Sequence, residues 1–146
     1  MKDAIKKDMS VRQLNFYSEA YKTDAEMQND RDITLALAEK RPELYRYASD
    51  AVKEDKEVAK TCFKSDGSLI RFAPDSVRCD PEVALVAVTD YPLGYQYLEG
   101  EAAKSREVAK VVAASGGSAL ELLPEEYFSD KEIAYIAVTK NPKCIK

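Results

Sequence analysis

Acidic residues recur in this chain at a fixed interval: Asp32, Glu57, Glu82, Glu107 and Glu132 stand 25 residues apart. Stacked on successive helices, such carboxylates would offer a stripe of oxygen ligands to a hard cation. Each also stands two residues after an Asp or Ser that suits a helix N-cap, where negative charge complements the helix dipole. The second role accounts for all five, so no metal and no other cofactor is expected. The segment LPEEYFSDKE (residues 123–132) gathers Glu125, Glu126, Asp130 and Glu132, but it lacks the alternating ligands and turn glycine of a calcium loop. It reads as solvated acidic surface.

Other candidate chemistry reduces in the same way. Gly116-Gly117-Ser118 stands ahead of a helical stretch, yet it has neither the G-x-x-x-x-G-K-[ST] frame nor the preceding strand of a phosphate loop. It reads as a C-cap followed by an N-cap. Tyr45, Tyr47, Phe72, Tyr95 and Tyr97 could stack nucleobases above phosphates held by Lys56, Lys60 and Lys64. Aromatics in a column 25 residues apart are better read as a core ladder, and lysines at i, i+4 and i+8 as a wet helix face. The chain contains no histidine, which removes Ser-His-Asp and Cys-His catalysis, histidine metal ligation and the usual neutral-pH acid/base. Cys62 falls on a core column and Cys79 in a loop with no base nearby in sequence. No enzymatic activity is expected.

Composition agrees with a binding role inside the cell. The 146 residues are 45% hydrophobic and 33% charged, as in a soluble globular chain. A net charge of −4 argues against a dedicated nucleic-acid binder. MKDAIKKDMS has no apolar core of a signal peptide, VALVAV (83–88) is too short to span a bilayer, and Cys62, Cys79 and Cys144 suit reduced thiols. A cytoplasmic location without a membrane partner is the expectation.

The elements that position these residues follow a repeat. Four segments align without a gap at residues 30–54, 55–79, 80–104 and 105–129, with a partial fifth at 130–146. Each opens on a cap residue (Asp30, Asp55, Asp80, Ser105, Asp130) followed by a first-turn acid, then Ile or Val, then Ala or Thr. This predicts a helix A of about ten residues, roughly 15 Å long. Units one, three and five stop at Pro42, Pro92 and Pro142, and units two and four at Gly67 and Gly117, where glycine would supply a left-handed C-cap. A second apolar stretch, helix B, follows in ELYRYA, SLIRFA, LGYQYL and SALELL, and Pro74 and Pro124 then break it and start a short third turn.

A longer period overlies the first. The fifth residue of the helix-A column alternates Leu35, Lys60, Leu85, Lys110, Tyr135. Helices apolar nearly all round are normally buried all round, so the A helices of units one, three and five should lie between neighbours while those of two and four keep a wet face. The structural unit is then a pair of repeats. Residues 1–29, helical through Val11, Leu14, Tyr17 and Tyr21, should form an N-terminal helical cap, with Asp24 starting a helix in competition with Asp30. The fold expected is all-α: a short α-solenoid-like stack of 25-residue helix-turn-helix repeats behind that cap.

Units of the form D-[KR]-E-[IV]-A, followed by G-S-A-L-E-x-x-P-E, resemble the bacterial and protist helical repeats grouped as a domain of unknown function of about fifty residues. The resemblance covers residues 30–146 and is strongest in SREVAKVVAASGGSALELLPEEYFSDKEIAYIAV; Thr34 for Ala and LGYQYLEGEAA without its P-E depart from the pattern. It implies paired units and arrays of them, defined by packing residues and without a known catalytic site. The expected function is a non-enzymatic protein-interaction module, a small inhibitor or adaptor whose partner is another protein. Recognition is expected on the variable exposed columns Glu39/Lys64/Thr89/Ala114 and Arg46/Arg71/Gln96/Glu121, with Lys60 and Lys110 beside them. Nucleic-acid binding through the lysine stripes is the alternative.

Overall fold

The structure, a computed structural model, describes residues 9–140. Pro142, Cys144 and the fraying expected beyond Pro142 lie outside the described residues, as does most of MKDAIKKDMS. Within them the chain is all-helical, with no strand. Eleven α-helices run in order: α1 (Val11–Tyr21), α2 (Ala25–Gln28), α3 (Arg31–Ala38), α4 (Asp50–Lys53), α5 (Lys56–Ser65), α6 (Asp75–Arg78), α7 (Pro81–Asp90), α8 (Gly100–Ala103), α9 (Arg106–Ser115), α10 (Gly117–Leu120) and α11 (Lys131–Lys140). Helix A of the five units is α3, α5, α7, α9 and α11. Their caps are as expected: the Asp55, Asp80 and Asp130 carboxylates each accept two backbone N–H groups of the first turn, and Asp30 and Ser105 accept one.

Helix B differs from the expectation. Pro42–Tyr47, Gly67–Phe72 and Pro92–Tyr97 are three-ten helices, and only Gly117–Leu120 is a single α turn. Buried residues in this stretch recur every third position: Tyr45 and Ala48, Ile70 and Ala73, Tyr95 and Leu98, Leu120 and Leu123. A three-residue period suits three-ten geometry, whose rise of about 2.0 Å per residue also lets six residues reach further than an α turn would. Each three-ten segment packs on its own helix A and on the next one, and α3, α5, α7, α9 and α11 pack in sequence order. Gly67 is needed for close approach rather than for a left-handed cap. A β-carbon there would overlap the Ala87 carbonyl oxygen, and the Gly67 N–H donates to Asp90 Oδ2 at 2.7 Å. Positive φ is found at Gly100 (52°), Gly116 (70°) and Gly117 (59°) instead.

The expected alternation of burial is not present. In α3, α5, α7 and α9 the third, fourth, seventh and eighth residues are buried, the fifth and sixth half-buried, and the rest exposed, whichever unit is considered. Leu35 and Leu85 are therefore as half-exposed as Lys60 and Lys110. Helices α5, α7 and α9 each meet a preceding and a following helix A, so the remaining face is open regardless of chemistry. In α11 that open face includes Tyr135, 70% exposed.

An alternation between units is present in the hydrogen bonds instead. In units one and three the Tyr45 and Tyr95 hydroxyls donate to the Lys53 and Ala103 carbonyls at the ends of α4 and α8, at 2.8 and 2.6 Å. Units two and four place Ile70 and Leu120 in that column. The backbone N–H of Ser49 donates to the Gln28 carbonyl of the N-terminal segment at 3.0 Å, and that of Glu99 to the Arg78 carbonyl of unit two at 3.2 Å. Units two and four carry Pro74 and Pro124 at that slot, and proline has no N–H to give. The missing P-E of unit three is thus required by its position.

Residues 9–29 cover the first unit. Helix α1 packs on α3 and on Pro42–Tyr47, but it buries Leu14, Ser18 and Tyr21 and leaves Val11 71% exposed. Asp24 and Asp30 do not compete, since Asp24 caps the one-turn α2 and Asp30 caps α3 after it. The buried Tyr21 hydroxyl meets Thr34 Oγ1 at 2.7 Å, which explains a threonine where later units have alanine. Burial pushes the Tyr21 phenol up to about 12.

Two stability measurements follow from this packing. Phe63 is fully buried with its ring edge-on to Tyr45, centroids 5.1 Å apart, so Phe63→Ala is expected to cost about 3–5 kcal/mol in urea unfolding. Glu99→Pro removes an inter-unit hydrogen bond and forces φ away from −135°; it should cost about 2 kcal/mol or more, while Pro74→Ala stays within about 0.5–1 kcal/mol of the parent.

Candidate functional site

Three of the periodic acids, Glu57, Glu82 and Glu132, are paired with cations of the preceding unit. Arg31 donates through Nε to Asp55 Oδ2 at 2.6 Å and through Nη2 to Glu57. Lys56 Nζ lies 2.5 Å from Asp80 Oδ2, and Lys60 bonds Glu82. Arg106 donates to Asp130 Oδ2 at 2.7 Å and to Glu132 Oε2 at 2.6 Å, and Lys110 Nζ reaches Glu132 Oε1 at 2.9 Å. In Asp55 and Asp80 one carboxylate oxygen thus serves the helix's own N-terminus and the other the neighbour, while Asp130 Oδ1 does both, accepting also from Arg106 Nη2 at 3.1 Å. Lys60 and Lys110, expected beside the recognition columns, are held in these inter-unit pairs. At the joint between α7 and α9, Pro81 replaces the cation and Ser105 replaces the aspartate. No ion pair crosses that joint among the described residues, and Glu107 turns to Lys110 in its own helix, at 3.5 Å. No group of three Asp, Glu or Cys side chains gathers as a metal set among the described residues.

The charges respond accordingly. The Arg106 guanidinium, helped by the Ile133 and Glu132 backbone N–H groups, holds the Asp130 carboxyl down at about 2. Lys110 first and Arg106 second hold Glu132 below its ordinary value. For Asp55, burial pulls upward, but the Arg31 hydrogen bond and the capped N–H groups outweigh it and the net shift is downward.

The aromatic column divides into two. Tyr45 is buried and half-exposure is the most any other ring of the column has, so Tyr45 and Tyr95, with hydroxyls bonded inward, cannot serve as base platforms. Tyr47, Phe72 and Tyr97 are half-buried at the outer edge of the three-ten segments. The Arg46 guanidinium carbon lies 5.3 Å from the Tyr47 ring centroid and 5.1 Å from that of Phe72; Arg71 lies 4.8 Å from Phe72. Lys22 Nζ is 6.0 Å from Tyr47. Two predicted residues, Arg46 and Arg71, are therefore brought together around one ring. Gln96 continues their row but bonds the Leu93 carbonyl at 3.0 Å, and Glu121 follows it, exposed.

Glu39, Lys64, Thr89 and Ala114 are exposed at the C-terminal ends of α3, α5, α7 and α9. Thr89 Oγ1 is bonded to Leu85 O at 2.6 Å, and among the described residues nothing ties this column to the arginine row. Between the turns of units three and four lies a cleft of about 270 Å³, lined by Tyr91, Pro92, Leu93, Ser115 and Gly116 among others and by no carboxylate, lysine or cysteine. Burial pushes the Cys62 thiol up to about 12, and Cys62 and Cys79 are both free. Among the described residues no helix is long and apolar enough to cross a membrane.

Sequence reasoning missed the cross-unit ion pairs and the guanidinium–ring stacking. The first had a visible signal, because cations in the slot after the cap (Arg31, Lys56, Arg106) vanish at Pro81 together with the acceptor at Ser105. The second had a weaker one, in the Arg-aromatic doublets RY and RF of units one and two.

Residues 55–101 match a domain of unknown function, DUF4116. No curated protein and no solved structure matches the chain. The DUF4116 match is narrower than the resemblance over 30–146 and lies outside the stretch where that resemblance is strongest. It spans unit two and most of unit three, the two units joined by the Glu99 N–H to Arg78 carbonyl bond.

Because the folded state lowers Asp130 from 3.8 to about 2, its contribution to stability is fully present above about pH 4 and is lost as pH falls through about 2. Arg106→Ala should lower the melting temperature modestly at neutral pH, as expected for exposed ion pairs. The gap between variant and parent should close on acidification across that window, measured by thermal melts from about pH 6 to about pH 2.

Proposed function

We propose that this chain is a non-enzymatic protein-interaction module, a short solenoid-like stack acting as an inhibitor or adaptor in the cytoplasm. The carrying observation is the fixed exposure pattern: the same slots are buried in α3, α5, α7 and α9, while the open slots change chemistry from unit to unit. A scaffold that holds its core constant and varies its surface offers a distinct face to a partner at each position. The arginine row and the Glu39/Lys64/Thr89 column are the recognition surfaces in this reading. The paired DUF4116-like units supply the scaffold, and the free thiols Cys62 and Cys79 suit a reducing compartment. The nucleic-acid alternative is weakened by the structure, since Lys56 and Lys60, two of the three lysines of the stripe, are neutralised by Asp80 and Glu82.

The test is capture from native cell lysate on the immobilised chain. A specific partner should be retained by the parent and lost by at least about tenfold with Arg46→Glu plus Arg71→Glu, because reversed charges at an interface both remove attraction and add repulsion. Retention unchanged by both reversals would move recognition away from the arginine row.

A further inference from the structure

We infer that Arg46 and Arg71, stacked about Phe72, form a docking strip for an acidic polypeptide segment, each guanidinium taking one carboxylate. The inference rests on the interaction reading above and names the chemistry of the partner.

Three observations carry it. The first is the contrast among cations. Arg31, Lys56, Lys60, Arg78, Arg106 and Lys110 each face a carboxylate of this chain, whereas Arg46 and Arg71 face rings. Other cations, Lys40, Lys64 and Lys104 among them, also lack an ion pair among the described residues, but Arg46 and Arg71 are guanidiniums of adjacent units that meet over one ring. The second is their preparation. Stacking on an aromatic face uses the flat surface of a guanidinium and leaves its N–H edge free, with the fork geometry that grips a carboxylate at two points. Arg46 is held between Tyr47 and Phe72, so its orientation is set before a ligand arrives. The third is spacing. Both guanidinium carbons lie within about 5 Å of the same ring, hence no more than about 10 Å from each other. In an extended chain rising about 3.3 Å per residue, carboxylates two or three positions apart span that distance.

The strip has defined ends. Toward the N-terminus it meets Tyr47 and Lys22, whose ammonium is engaged with Glu19 at 2.9 Å and lies in the field of Glu43. Toward the C-terminus the same column turns neutral at Gln96 and negative at Glu121. Such a short positive row favours a peptide with a few carboxylates over a nucleic acid, whose phosphates need a continuous basic track. The half-buried faces of Phe72 and Tyr47 would cover the apolar parts of the segment between its acids.

The experiment is a fluorescence-anisotropy titration of the full chain at low salt with three labelled probes: a ten-residue oligoglutamate, a neutral Gly-Ser decapeptide and a ten-residue oligothymidylate. Saturable binding of oligoglutamate is expected, weakened at least about tenfold by Arg46→Gln plus Arg71→Gln and unchanged by Arg12→Gln on α1. Arg46→Lys plus Arg71→Lys, which keeps charge and loses the planar fork, should fall between. Circular dichroism of each variant separates lost binding from lost fold. Oligoglutamate binding that survives the double glutamine change overturns the strip, as does tighter binding of oligothymidylate. If oligoglutamate fails while a lysate partner is still captured and lost on charge reversal, the acidic-segment inference falls and the interaction reading stands. If oligoglutamate binds through both arginines while no lysate partner is captured, the strip stands and the broader reading fails.

Discussion

A helix of ten residues is marginal in water, because the cost of nucleation is spread over too few hydrogen bonds. Helices α3, α5, α7 and α9 are each held instead by four buried side chains, such as Val83, Ala84, Ala87 and Val88 in α7, all fully buried. On a helix the third and seventh residues share one face and the fourth and eighth the next, so the four slots can serve two neighbours. The small residues Ala84 and Ala87, like Ala59 in α5 and Ala109 and Ala113 in α9, let the backbones approach closely. Everything outside these four slots is arranged around that packing. The three-ten segments ride on two successive A helices, which carries the aromatic rings and their arginines along one edge.

Close packing of successive A helices brings their N-termini side by side, and with them the positive ends of several helix dipoles. The repeated acids answer this locally, and cations of the preceding unit then balance the acids. At the joint between α7 and α9, Pro81 and Ser105 drop cation and anion together, and the remaining Glu107 pairs with Lys110 of its own helix. A joint with one partner missing would leave an uncompensated charge. Among the described residues no ion pair crosses between α7 and α9, yet the two helices remain in extensive contact.

How much of this could be read from the chain depends on the range of the interaction. Caps, first-turn acids, Pro81 at N1 and the stops at Pro42 and Pro92 are local, and each stands where its residue type placed it. The half-burial of Leu85 was not legible, because exposure is set by which faces meet neighbours and not by the hydrophobicity of the helix itself. Gly67 looked like a cap and is a close contact with α7, information that resides in Ala87 twenty residues away. Of the candidate site, the column Arg46/Arg71/Gln96/Glu121 was found by its variability. The stacking that distinguishes its first two members from Lys60 and Lys110 joins Arg46 to Phe72 of the next unit as well as to its own Tyr47, and periodicity alone does not reveal it.

The pairing of units has a physical basis in how the short helices end. Any helix leaves carbonyls without intrahelical partners at its C-terminus. At α4 and α8 a tyrosine hydroxyl supplies a donor; at α2 and α6 the donor is a backbone N–H of the next unit, from Ser49 or Glu99. The second solution requires that the donor residue not be proline, and the first requires a tyrosine in the buried column. Proline can therefore occupy that slot only in units two and four, and tyrosine in that column appears only in units one and three. Twenty-five residues are enough to repeat the helix, but fifty are needed to repeat the hydrogen bonding. Residues 55–101 contain one such backbone junction between units, which is a physical reason for the matched domain to span two repeats rather than one.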